Sequence, residues 1–215
     1  MAVSVPNGAL VAIASGYGGN LTVSAITNAS PASATSTAHG LALGDFVEVT
    51  SGWSRLTGKV VRVGAVTANN FELEGIDATS TSVYPAAGGI GSVRKITGFT
   101  QLAQILSSTS SGGEQQFVNY QFLESDAEKR IPTFKSAFGI SFSVADDATQ
   151  AGYVLASTAN DDRLPRAIRI TLPSGSKLIY NGYISLNKTP SLSVNQIMAV
   201  EVTISLLNEP VRYAT

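Results

Sequence analysis

Period-two alternation of apolar and polar positions runs through much of this chain. It fills Ala167–Leu172 (AIRITL) and Lys177–Leu186 (KLIYNGYISL), with Pro-Ser-Gly-Ser between them as tight-turn punctuation, so the pair predicts a β-hairpin. A longer run follows from Val194 to Leu207. There Val194, Met198, Val200, Val202, Ile204 and Leu206 share one face, with Ala199, Glu201, Thr203 and Ser205 opposite. At about 3.4 Å per residue, roughly 13 residues span some 44 Å. Lys135–Val144 alternates as well, setting Ser136, Phe138, Ile140, Phe142 and Val144 against Lys135, Ala137, Gly139, Ser141 and Ser143. One face is mostly apolar and the other mostly small and polar, the pattern of a half-buried strand. Gln115–Leu123 predicts another strand, and Glu124–Pro132 (ESDAEKRIP) a charged loop. A single helix is expected in DDATQAGYVLASTAN, with Asp146 or Asp147 as its cap and Ala151, Val154, Leu155 and Thr158 as its apolar stripe. Strands, one helix, then strands: the class is mainly β.

The first part of the chain is worded differently. Residues 25–36 (AITNASPASATS) are rich in Ser, Ala and Thr and predict a linker or loop. From His39 onward, HGLALGDFVEVTSG, GKVVRVGAVT and NNFELEG predict three short strands joined by Gly- and Asn-rich turns. They suit a small β-barrel or sandwich near the lower size limit for independent folding. VRKITGF (Val93–Phe99) starts the next strand. The expected division is 1–26 as an N-terminal arm and first strand, 27–91 as an inserted small β domain, and 92–215 as the main domain.

Composition narrows the functional classes. Of 215 residues, 44% are hydrophobic and only 13% charged, with a net charge of -1. That is about half the usual charged share of roughly 25%, and it suits a surface that ends up against copies of itself. The near-neutral balance argues against wrapping nucleic acid, which needs a concentrated excess of Lys and Arg. There are no cysteines, which excludes disulfides and thiolate metal sites. No segment has the basic, then apolar character of a signal peptide, and none approaches the roughly 20 apolar residues of a membrane span.

Chemistry is sparse. The one histidine, His39, is expected on a surface loop. Asp146-Asp147 and Asp161-Asp162 flank the helix and suit a cap and a turn better than a cation site. GYGGN (Gly16–Asn20) and GGIGS (Gly88–Ser92) lack the strand–loop–helix setting of a phosphate-binding loop and are expected as flexible connectors. Asn28-Ala-Ser30 and Asn187-Lys-Thr189 match a glycosylation pattern that is common by chance. Trp53 and Tyr84 are the candidates for stacking on a sugar, though Trp53 suits the cover of the small core better. No catalytic residue, cofactor or metal site is expected.

The series from about Val93 to Pro210 resembles the tail tube proteins (major tail proteins) of long-tailed, non-contractile, lambda-like bacteriophages. The resemblance rests on VRKITGF, EQQFVNYQFLESDAEKR, KSAFGISFSV, DDATQAGYVLAS and, above all, RAIRITLPSGSKLIYNGYISLNKTPSLSVNQIMAVEVTISLLNEP in that order. It implies a β-sandwich tail-tube fold with one flanking helix. It further implies six-copy rings whose sheets join in one barrel and stack into a tube that conducts DNA. The residues it places on the lumen are Lys135, Ala137, Gly139, Ser141, Ser143, Glu201, Thr203 and Ser205. The stacking loop it implies carries Glu124, Asp126, Glu128, Lys129 and Arg130. Implied partners are further copies of the chain, a tape measure protein, tail terminator and baseplate proteins, and viral DNA passing without sequence-specific contact. The implied location is the virion tail, after assembly in the host cytoplasm. The inserted 27–91 module departs from simpler family members and is expected on the outer surface. Two alternatives stand beside this reading: another ring-forming tail part (terminator, baseplate hub or secretion-system tube), and a carbohydrate-binding module centred on Trp53 or Tyr84.

Overall fold

The structure, a computed structural model, describes residues 7–214. Met1–Pro6, part of the expected N-terminal arm, lie outside the described residues. The fold is mainly β, as expected, with one helix among the described residues. The strands are β1 (Leu10–Val23), β2 (Ala25–Ile26), β3 (Ala32–Thr35), β4 (Phe46–Ser51), β5 (Val60–Val66), β6 (Asn70–Leu73), β7 (Gly91–Leu102) and β8 (Ile105–Ser111). They continue with β9 (Gln115–Tyr120), β10 (Lys129–Lys135), β11 (Gly139–Ala145), β12 (Arg166–Thr171), β13 (Lys177–Asn187), β14 (Ala199–Leu206) and β15 (Val211–Tyr213). Helix α1 spans Ala151–Asp162. One sheet runs β2-β3-β6-β5-β4-β7-β1-β12-β13-β14-β11-β8, with β15 added beside β13, while β9 and β10 form a separate ribbon.

Two strands serve two cores. The first half of β1 and the end of β7 bury Val11, Ile13 and Leu102 in a cluster with Ile168, Ile184, Phe142, Val202 and Ile204 under α1. The second half of β1 and the start of β7 bury Val23 and Val93 with Val47, Val49, Trp53, Leu56, Phe71 and Leu73 in the small module. Between these halves the β1–β7 register shifts three times, from Ala14 to Asn20. The shifts coincide with GYGGN, which is therefore strand with bulges and not a connector. A Cβ on Gly16 would come within 2.6 Å of Thr97 Oγ1, so a larger residue would push the pair apart.

A third cluster, on the sheet face opposite α1, joins module to sheet: Ala14, Phe46, Val60, Ile96, Ala167, Ile179 and Tyr213. Buried polar groups reinforce it. Asn181 Nδ2 donates to Glu48 Oε1 (3.0 Å) and to the Gly58 carbonyl (2.9 Å), and Arg94 Nε donates to Glu48 Oε2 (2.6 Å). The Tyr213 hydroxyl accepts from the Arg62 N–H (2.9 Å) and donates to the Glu74 carbonyl (3.2 Å).

Several elements differ from the sequence expectation. Residues 25–36 hold β2 and β3, which pair with each other, and β3 pairs on with β6. The long terminal strand shortens to Ala199–Leu206, because Ser193–Gln196 forms a turn with Asn195 at φ 62° and leaves Val194 91% exposed. Helix α1 begins later, with Gln150 at its N-cap and no side-chain cap. Asp147 instead closes the preceding turn, accepting from the Thr149 amide and hydroxyl. The buried helix face is Gly152, Ala156 and Ala159, while Val154 is exposed. Small residues win that face because the helix lies close on β7: a Cβ on Gly152 would strike the Gln101 carbonyl.

Candidate assembly surfaces

Strands β8, β11, β14 and β13 present their odd-numbered side chains on one face. Register aligns three rows across them: Ser107–Ser143–Glu201–Asn187, Thr109–Ser141–Thr203–Ser185 and Ser111–Gly139–Ser205–Tyr183. The even-numbered Phe142, Val202, Ile204, Ile184 and Leu186 are buried on the α1 side, which is why the odd ones meet water. The Ser141 and Thr203 hydroxyls lie 3.2 Å apart and share a hydrogen bond. This ladder is a hydrated hydroxyl surface with one carboxylate, Glu201, and no cation to hold a polyanion.

Six of the eight lumen candidates, Gly139, Ser141, Ser143, Glu201, Thr203 and Ser205, sit in the ladder. Lys135 and Ala137 do not. Lys135 ends β10, where its ammonium pairs with Glu209, and Ala137 lies in the break before β11. The reason is a kink. β8 continues into β9 and β10 into β11 as one long ribbon, bridged by Gly113 N–H to the Ser136 carbonyl and Ser136 N–H to the Glu114 carbonyl. Gly112 and Gly113 hold φ near +80° there, and a Cβ on either would strike Ala137 or Phe138. Only glycine fits this bend. Sequence reasoning missed Ser107, Thr109 and Ser111, because the serine-rich β8 shows no apolar alternation. It also passed over Tyr183, Ser185 and Asn187, although the alternation of Lys177–Leu186 already sorted the first two onto one face.

β8 closes the sheet at one margin, and among the described residues no strand pairs with its outer side. Its outward N–H and C=O groups are an open edge. Beyond the kink, β9 and β10 form a projecting arm. Val118 pairs with Ile131 and Phe117 with Pro132, so apolar side chains emerge on both faces. Phe117, Val118, Ile131 and Phe134 are each more than half exposed, as are Phe122 and Leu123 near the tip. A two-stranded ribbon is marginal alone in water, and one apolar on both sides is built to be covered. Glu124, Asp126 and Glu128 are exposed at the tip, whereas Lys129 and Arg130 start β10 and do not lie in the loop.

The remaining candidates are structural. Trp53 is 2% exposed, donates from Nε1 to the Pro85 carbonyl (2.8 Å) and meets Tyr84 edge-on. It presents no ring face to a sugar, and Tyr84 is partly buried against the same core. His39 is buried, not on a loop surface. Its Nδ1 accepts from the Leu41 N–H and its Nε2 lies 3.0 Å from the Thr67 carbonyl, which fixes the Nε2–H tautomer. The Thr149 hydroxyl, then Gln150 and the Thr149 amide, hold the Asp147 carboxyl down at about 2. Asp161 pairs with Lys188, and Asp162 with Arg166. Among the described residues no cluster of His, Cys, Asp or Glu is suited to a metal ion, and no helix is long and apolar enough to cross a membrane.

Comparison with known proteins gives one decisive match. The family described as phage tail tube protein, TTP, matches residues 51–215. No curated protein matches the chain. Among solved structures, a chain in the tail of an empty GTA particle, from helical refinement with C6 symmetry, is 15% identical with a TM-score of 0.44, covering 55% of this chain and 89% of its own. A chain of the anti-feeding prophage cap (AFP tube terminating cap) is 16% identical with a TM-score of 0.35, covering 50% and 79%. Both likenesses are weak, whereas the sequence match spans the ladder, the arm and the helix. The chain belongs to the phage tail tube protein family.

Proposed function

We propose that six copies of this chain close into a ring through β8, that rings stack through the β9–β10 arm, and that the resulting tube conducts viral DNA. The observation that carries this reading is the open β8 margin, which borders a hydroxyl face. Edge-to-edge pairing between copies satisfies the unpaired backbone groups and turns each ladder into a stretch of pore wall. A wall of Ser and Thr stays hydrated and gives a passing polyanion no cationic hold. The number six, and the tape measure, terminator and baseplate partners, rest on the family resemblance. The protein acts as a structural virion component assembled in the host cytoplasm. In this reading the 27–91 module, separated from the ladder by β7, β1 and β12 in the sheet order, lies on the outer surface of the tube.

Electron microscopy of the purified protein at rising concentration tests the reading. Rings that lengthen into tubes support it; isolated particles at every concentration overturn it. A terminator or hub would form rings that never extend. A proline pair tests the edge, because successive N–H groups of a strand point to opposite sides. Of Ser108→Pro and Thr109→Pro, one should disturb pairing with β11 and lower stability. The other should leave the melting temperature nearly unchanged and abolish rings.

A further inference from the structure

Where the arm leaves the kink, its base faces the small module across an open cleft of about 530 Å³. Arg55, Lys59 and Tyr84 line it from the module, Phe134 and Lys135 from the arm, and Glu209 from the C-terminal segment. Lys135 and Glu209 pair with each other. Arg55 and Lys59 have no carboxylate at ion-pair distance among the described residues, so the cleft, with three cations and the one carboxylate of Glu209, carries a surplus of positive charge. Lys59 is half-buried, and burial pushes its ammonium down from its ordinary range, against the pull of the Glu209 charge and with a smaller push from Arg55. A further anion in the cleft would offset that surplus.

The chain also carries a complementary group. Glu124, Asp126 and Glu128 are exposed at the arm tip, and none has an ion-pair partner among the described residues. With β9 six residues long, the tip stands roughly 20 Å from the cleft at the arm's own base. An extended hairpin cannot fold back on itself over that distance. A tip that fills this cleft must therefore belong to another copy.

We propose that the cleft receives the acidic arm tip of a subunit in the adjoining ring, with Glu124, Asp126 and Glu128 set against Arg55 and Lys59. This rests on the stacking role of the arm given above, and it assigns the inserted module a share in holding successive rings together. The attraction is between exposed and half-buried charges, so it weakens as salt screens it.

The absence of cysteine permits a direct test. Lys59→Cys and Asp126→Cys proteins, mixed, assembled and mildly oxidised, should give a covalent dimer that neither gives alone. Arg55→Glu with Lys59→Glu should leave the melting temperature and rings intact while cutting tube length at least tenfold. Adding Glu124→Lys and Glu128→Lys to that variant should restore tubes. If the reversed charges hinder folding, the cysteine pair alone decides. Tubes of normal length from the charge-reversed variant, or assembled tubes with no 59–126 cross-link, overturn the proposal and leave the stacking reading standing. Failure of the unaltered protein to form rings or tubes overturns that reading and this inference together.

Discussion

Tyr213 shows how a single polar atom fastens this molecule. Its hydroxyl accepts the Arg62 N–H at 2.9 Å, and its ring fills the cluster between module and sheet. Tyr213→Phe keeps the ring and removes that partner, so a partly buried N–H is left without it. The expected loss is about 1–3 kcal/mol, read from the denaturation midpoint. Burial raises the phenol from its ordinary 10.0 to about 12, and the Glu74 charge adds to the rise against the pull of the Arg62 backbone hydrogen bond. A folded-state value above the unfolded one means the contribution is intact below pH 10 and lost as pH climbs toward 12. Wild type should therefore lose stability across that window, and Tyr213→Phe should lose less. Parallel urea titrations at pH 9 and pH 11.5 measure the difference.

Among the elements, the kink at Gly112–Gly113 separates two kinds of surface, a hydroxyl ladder below and an apolar arm above. Gly112→Ala meets both a positive φ and the Ala137 carbonyl, so the ribbon must re-aim. The arm carries none of the three buried clusters, so the melting temperature should shift by only a few degrees while tube formation fails. Circular dichroism and electron microscopy on one preparation check both halves. This element also marks the limit of sequence reading. The hairpin β12–β13 and the faces of β11 and β14 were legible, since one side is buried and period two records it. β9 was expected as a strand, but β8 and β10 were obscure for the opposite reason: β8 is exposed along nearly all its length and β10 along all of it, so burial imposes no alternation on them. The stripe of α1 was misread because Gly152, Ala156 and Ala159 pack by close approach, which hydropathy does not register. The first strand was expected within 1–26, but its bulged middle escaped because glycines that permit a bend look the same in text as glycines that permit flexibility.

For the whole molecule, the two faces of one sheet make opposite demands. Ser141→Leu alters the ladder and should change stability by less than about 1 kcal/mol, yet block tube growth or DNA passage. Phe142→Asp, one residue along, buries a charge among Ile204, Val202 and Leu186 and should leave no folded protein. Thermal melts beside ejection assays distinguish them, and equal unfolding by both would refute the face assignment. The strands common to both cores carry a further consequence. Leu21, Val23 and Val93 lie on β1 and β7, outside 27–91, but pack on the module. Excising 27–91 is therefore no clean deletion: it strips the shelter from a greasy stub, and the truncated chain should aggregate unless those three positions are recoded. Anyone grafting cargo onto such a tube would do better to extend the module's turns than to replace it.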